Sequence, residues 1–125
     1  MLSPAVGAIP LGFAVAHAAG ARFLYAERED GRMTLRRGFA LAPAERVLVV
    51  EDVVTTGGSA AEVLGLARAA GAKPLGVAAL VDRTNVDPGF ALRALVRIDA
   101  RSYDPNTCPL CRAGVPLTER GSRSL

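Results

Sequence analysis

From residue 46 to residue 82 the hydrophobic pattern changes period twice. "RVLVVED" is apolar at nearly every position until its two acids, as a strand buried on both faces of a parallel sheet must be. "SAAEVLGLARAAG" follows, with Ala60, Val63, Leu64 and Ala67 on one helical face and Gly71 where the helix should end. "PLGVAALVD" repeats the buried-strand pattern. "ALRALVRID" alternates better, which predicts an edge strand with one wet face. Nearer the start, Val6, Ile9, Phe13 and Ala16 or His17 recur at helical spacing. They predict a helix over residues 4–19, capped by Gly20, whose first turn Pro10 delays or kinks. "RFLYAE" reads as a short strand, and "REDGRMTLRRGFAL", with a D-G turn between polar arms, as a hairpin or flexible flap.

This order predicts an α/β fold: a parallel twisted sheet with flanking helices and right-handed crossovers. A core over residues 1–102, with the flap at about 27–39, would precede a loop-rich tail over 103–125 whose last stretch, "RGSRSL", is expected to be disordered. The first helix has no evident strand before it, so the sheet is expected to be N-terminally truncated.

At 125 residues the chain suits one domain with a real core. Half of it is hydrophobic and only 5 % aromatic, closer to an α/β interior than to a β-sandwich. No apolar run reaches the roughly 18 residues of a membrane span. The apolar N-terminus lacks the basic start of a secretory leader, so the expected location is the cytoplasm. A net charge of +3 is too mild to imply nucleic-acid binding. Its distribution says more. Every basic residue but Lys73 is arginine, and Arg28, Arg32, Arg36 and Arg37 crowd the flap. Arginine grips phosphate with a planar fork, so the run reads either as a solvated face or as a loop that closes over an anion. The pair Cys108 and Cys111, in "CPLC", cannot complete a tetrahedral zinc site with a distant His17 inside one chain. It reads first as a structural turn, with a disulfide or a metal shared between chains as alternatives. His17, among apolar neighbours, is expected to pack structurally.

The most specific stretch is "VLVVEDVVTTGGS". Ligands of open α/β sheets bind at the carboxyl ends of strands. Glu51 and Asp52 fall at such an end, and "TTGGS" at the N-terminus of the next helix, where free N–H groups favour phosphate. Carboxylates repel phosphate but suit sugar hydroxyls or Mg²⁺. Together these features describe a sugar phosphate. Neither G-x-x-x-x-G-K-[ST] nor G-x-G-x-x-G is present, so a P-loop and a dinucleotide site are excluded.

These thirteen residues resemble the phosphoribosyl-pyrophosphate (PRPP) signature of the type I phosphoribosyltransferases. "SPAVGAIPLGF" is similar to the pyrophosphate loop and first helix of the orotate-specific branch, "AEREDGRMTLRRGF" to its catalytic loop, "AALVDRT" to its base-binding strand end, and "YDPNTCPLCRAGVPL" to the tail of a bacterial subgroup. The resemblance implies transfer of the 5-phosphoribosyl group of PRPP to orotate, giving orotidine 5′-monophosphate and pyrophosphate in pyrimidine biosynthesis. Glu51 and Asp52 would hold the ribose hydroxyls. Val53, Val54, Thr55, Thr56, Gly57, Gly58 and Ser59 would form the rest of the PRPP site. Thr55 and Arg83 would contact orotate, and Arg28 and Arg32 would act from the loop, Arg28 and Asp52 being the catalytic pair. Mg²⁺ would arrive with PRPP, near Glu51 and Asp52, with no ligand set of the protein's own. A homodimer that shares its flaps is implied, with neither nucleic acid nor membrane as partner. Ser3 stands where the family usually has glycine. The family's N-terminal segment has no counterpart, so weak PRPP binding and little orotate transfer are expected of these 125 residues alone. Transfer to another nucleobase, and a non-catalytic PRPP-binding regulator, are the alternatives; the arginine-rich flap favours an enzyme, since a mere binder need not seal its site.

Overall fold

The computed structural model describes residues 1–100, 103–104 and 106–116. The expectation of disorder at residues 120–125 lies outside them. Six strands form one sheet in the order β3-β2-β1-β4-β5-β6: β1 (Leu2–Pro4), β2 (Leu24–Glu29), β3 (Arg32–Leu35), β4 (Arg46–Val54), β5 (Lys73–Asp82) and β6 (Leu92–Arg97). All neighbours are parallel except β2 and β3, which pair antiparallel as the flap hairpin. Asp30 and Gly31 turn that hairpin with φ of 48° and 79°. Two positive φ values are what a two-residue turn needs if it is to match the twist of its strands.

Helix α1 (Ile9–Ala18) joins β1 to β2, and α2 (Gly58–Ala69) joins β4 to β5. Both end as their glycines predict. Gly20 (φ 58°) and Gly71 (φ 76°) turn left-handed, and the next residues, Ala21 and Ala72, donate back to the carbonyls of Ala16 and Ala67. Pro10 falls in the first turn of α1, where no hydrogen-bonded N–H is lost.

The core lies between the sheet and α2. Ala60, Val63, Leu64 and Ala67 pack on Leu2, Leu24, Ala26, Val47, Val49, Val77 and Ala79. Side chains alternate across a strand. The opposite face, carrying Ser3, Val50 and Ala78, therefore meets α1, whose Leu11 and Val15 approach Val50 and Ala78. The doubly wound α/β architecture is the expected one.

Five expectations need correction. Residues 2–4 are not the start of a helix: they form β1, fully buried and inserted between β2 and β4. The sheet does have a strand before its first helix, and β2 has neighbours on both sides rather than a bare edge. Three residues are too few for periodicity to register. The buried face of α1 is Ala8, Gly12 and Ala16, whereas Val6 and Phe13 are exposed. Small residues let this helix approach the strand closely; a Cβ on Gly12 would lie 2.1 Å from Ser3 Oγ. His17 is likewise exposed, its ring stacked on Phe13 with centroids 6.2 Å apart, rather than packed inside. Finally, β6 is an edge strand, but it is wet on both faces: Leu95 is 81 % and Val96 52 % exposed, and only Leu92 reaches the core.

Candidate active site

Strand β4 carries its apolar run to Val50 and then delivers Glu51 and Asp52 to the carboxyl edge of the sheet. Glu51 is buried and Asp52 half-buried. The backbone N–H of Val53 donates to Asp52 Oδ1 at 2.8 Å, which fixes that carboxylate. Across from it runs the turn between β1 and α1, residues 5–8, which contains the cis peptide Ala5–Val6. A Cβ on Gly7 would fall 2.6 Å from Asp52 Oδ2, so the turn lies directly against the acid only because residue 7 is glycine.

After β4 the chain turns through Thr55 and Thr56 into α2. Gly57 caps the helix with φ 80° and has no side-chain cap bond, and the Gly58 N–H makes a long bond of 3.4 Å to Thr56 Oγ1. Backbone N–H groups at the start of a helix are what an incoming phosphate would use. Gly57 is buried under a loop that the sequence pattern does not single out: a Cβ there would lie 3.1 Å from both Phe90 Cζ and Pro88 Cβ.

These parts enclose one cavity of about 470 Å³, lined by the 4–8 turn, residues 51–60, Arg28 and Met33. Ten of the candidate residues therefore meet: Arg28, Glu51, Asp52, Val53, Val54, Thr55, Thr56, Gly57, Gly58 and Ser59. Two do not line it. Arg32 is exposed at the start of β3, and Arg83 is exposed just beyond β5. The sequence reading left out Met33, Glu62 and the Pro88–Phe90 wall. Only the flap motif pointed toward Met33, and nothing in the spacing marks the other positions.

Arg83 stands on a well-tied strand end. Its N–H donates to the Val54 carbonyl at 2.8 Å. The neighbouring Asp82 carboxylate, buried, accepts from Thr84 Oγ1 at 2.7 Å and Thr84 N–H at 2.8 Å. These bonds, with the Arg97 guanidinium 3.7 Å away, hold the Asp82 carboxyl below its ordinary 3.8. A lowered carboxyl pKa favours the folded state at every pH above the unfolded value, and that contribution disappears as pH falls through the lowered folded value. Asp82→Asn is therefore expected to be less stable than the parent at about pH 6 but to lose less on acidification to about pH 3. Urea unfolding midpoints at the two pH values measure this; an equal acid loss in both chains would contradict it.

Cys108 and Cys111 are free thiols at the four-residue helix α3 (Pro109–Arg112). Hydrogen bonds from the Cys111 N–H and thiol lower the Cys108 pKa, while donating that thiol proton raises that of Cys111. Among the described residues no cluster of three or more His, Cys, Asp or Glu could hold a metal, and no helix is long and apolar enough to cross a membrane.

No protein-family model matches the chain. Curated proteins do. The whole chain is 48 % identical to the orotate phosphoribosyltransferase of Caldanaerobacter subterraneus subsp. tengcongensis, covering 67 % of it. It is 50 % identical to that of Pelotomaculum thermopropionicum, again over 67 % of the relative, and 47 % identical to that of Thermotoga maritima, over 68 %. The chain thus spans about two thirds of the length of these relatives. Among solved structures, orotate phosphoribosyltransferase from Aeropyrum pernix superposes with a TM-score of 0.65 at 24 % identity, covering 78 % of this chain and 59 % of that one. Adenine phosphoribosyltransferase from Thermoanaerobacter pseudethanolicus superposes at 0.70 with 17 % identity, covering 78 % and 68 %. At such identities the superpositions speak to the fold alone.

Proposed function

The chain belongs to the orotate phosphoribosyltransferase family, and from that premise we propose that its cavity holds PRPP for transfer of the phosphoribosyl group to orotate. The observation that carries this reading is the meeting of an acid pair, a glycine turn at a helix N-terminus, and Arg28 around one 470 Å³ space. The 5-phosphate fits the turn of residues 55–59, where hydroxyls and backbone N–H groups donate and no carboxylate is needed. The ribose diol fits Glu51 and Asp52, which accept its O–H groups. The diphosphate then lies toward the 5–8 turn, within reach of the flap.

The residues present suit Mg²⁺ that arrives on the substrate. The carboxylates of Glu51 and Asp52 at the cavity wall would suit a cation carried in on the diphosphate. Bound there, it would neutralise charge on the departing pyrophosphate. The protein's own contribution is to orient and to exclude water. Glu51 and Asp52 fix the ribose while the bond from its anomeric carbon to pyrophosphate breaks and the bond to the orotate ring nitrogen forms. Arg28 meets negative charge on the leaving group. Thr55 at the cavity wall and Arg83 outside it, beyond the tied end of β5, would recognise the base, Arg83 by swinging inward, and Arg32 would add charge from the hairpin. No covalent intermediate is required.

We place the protein in the cytoplasm, where its small soluble substrates would be, and as a homodimer whose flaps act across the interface. Mixing Arg28→Ala chains with Asp52→Asn chains, in a protein of the relatives' full length in which each variant alone is inactive, tests the dimer, since one hybrid site would be intact; no recovery would show that each site is completed by its own flap. The base assignment is tested by offering orotate, adenine and uracil in turn with PRPP and Mg²⁺ and weighing the products. Product is expected from orotate alone, and in small amount from these 125 residues. A phosphoribosylated adenine would reverse the assignment.

A further inference from the structure

Among the ion pairs of the described residues, one guanidinium ties the flap to α2. Arg28 sits two residues before the hairpin turn and lines the cavity. It donates from Nη2 to Glu62 Oε1 at 2.8 Å, from Nη1 to Glu62 Oε2 at 3.0 Å, and from Nη1 to the Gly31 carbonyl. Glu62 lies one helical turn beyond Gly58, on the helix whose N-terminus faces the cavity. The other flap ion pairs among the described residues, Arg36 with Glu29 and Arg37 with Glu27, stay inside the flap. Arg28–Glu62 alone of these pairs joins it to another element.

The geometry sets up a competition. Three of the five guanidinium N–H groups of Arg28 are committed, and the fork given to the Glu62 carboxylate is the one a phosphate would take. The two side chains are 39 % and 41 % exposed, so the pair is screened by water and only weakly held. A diphosphate carries more charge than a carboxylate and offers more acceptor oxygens.

We infer that Glu62 is a positioning residue that acts through Arg28: it holds the guanidinium beside the cavity in the free chain and yields it to the diphosphate of PRPP. The inference rests on the PRPP reading and adds the regulation of its flap. Release of Glu62 is then part of every binding event, whichever protomer's cavity Arg28 enters.

Calorimetric titration with PRPP and Mg²⁺ decides it, using the parent chain, Glu62→Gln, Arg28→Ala and the double variant. Glutamine keeps the size of the side chain and removes the charge that competes. Glu62→Gln is expected to tighten PRPP binding about two- to five-fold, the range an exposed ion pair allows. In the Arg28→Ala background the same change should have no effect, because there is no guanidinium left to release. Unchanged or weaker binding by Glu62→Gln would overturn the inference. So would equal tightening without Arg28, which would mark a general effect of lost negative charge. If the parent binds no PRPP, the reading of the site fails and the inference with it; if the parent binds and Glu62→Gln does not differ, the inference alone fails.

Discussion

Gly57→Val is expected to lower the unfolding free energy by about 2–5 kcal/mol and to abolish PRPP binding in whatever folded chain remains. Two independent costs meet at this position. A β-branched residue at φ 80° takes a left-handed backbone that costs roughly 1–2 kcal/mol. Its Cβ would also stand 3.1 Å from Phe90 Cζ and Pro88 Cβ before the two methyls are counted, and overfilling a packed site typically costs about 1–3 kcal/mol. Either way of relieving the clash moves residues 55–58 and spoils the array of donors at the start of α2. Urea unfolding followed by circular dichroism measures the first effect and PRPP titration the second. A midpoint near that of the parent, with PRPP affinity intact, would show that the turn tolerates a side chain and that its shape does not depend on glycine.

Gly12→Val should cost about 2–3 kcal/mol through the other face of the sheet. Here the helix touches the strand: the Cβ would come within 2.1 Å of Ser3 Oγ and 2.5 Å of Phe23 Cε2. The Ser3 hydroxyl, fully buried, is also the one side-chain oxygen or nitrogen among the described residues found buried without a hydrogen-bond partner. Removing it by Ser3→Ala should therefore stabilise the chain by about 1 kcal/mol, since an unpaired buried hydroxyl is costly. The two positions touch, so they should couple: the cost of Gly12→Val should be smaller by at least about 0.5 kcal/mol when residue 3 is alanine. Thermal unfolding of the four chains of this cycle checks it, at about 3–5 °C per kcal/mol for a domain of this size. Strict additivity would mean that α1 moves as a body to relieve the clash and that Ser3 is not the obstacle.

Legibility followed the length of the signal. β4 is long enough for its unbroken apolar run to register and α2 for its period of 3.6, so both are legible nearly to their ends, with Gly71 closing the helix as expected. The hairpin was legible for another reason: Asp-Gly is a turn whose backbone needs are written in two residues. β1 was not legible. Its three residues are central to the sheet but too few for a pattern, and Pro4 followed by apolar spacing imitates a helix start. Of the expected face of α1, Ala16 is buried as its spacing implies, but hydrophobic size is a poor guide to the rest, because close helix–strand contact selects Ala8 and Gly12 and leaves Val6 and Phe13 outside. In the site, residues local to one turn came through together, since a loop of fixed sequence carries its own geometry. Contacts between distant segments did not: neither the approach of Glu62 to Arg28 nor the seating of Gly57 under Phe90 leaves a trace in spacing.

The central claim is that the acid pair and glycine turn together hold PRPP, and the most direct measurement is calorimetric titration of the parent chain and of Asp52→Asn with PRPP and Mg²⁺. Asparagine preserves the shape of Asp52 and the acceptor used by the Val53 N–H, but withdraws the charged acceptor from the ribose diol. A hydrogen bond to a charged group contributes about 1.5–3 kcal/mol, so affinity should fall by roughly 10- to 150-fold while the unfolding midpoint stays close to that of the parent. Binding by the parent with that loss in the variant is the predicted result. PRPP affinity that is equal in the two chains would contradict the account, because the substrate would then be held somewhere other than against Asp52.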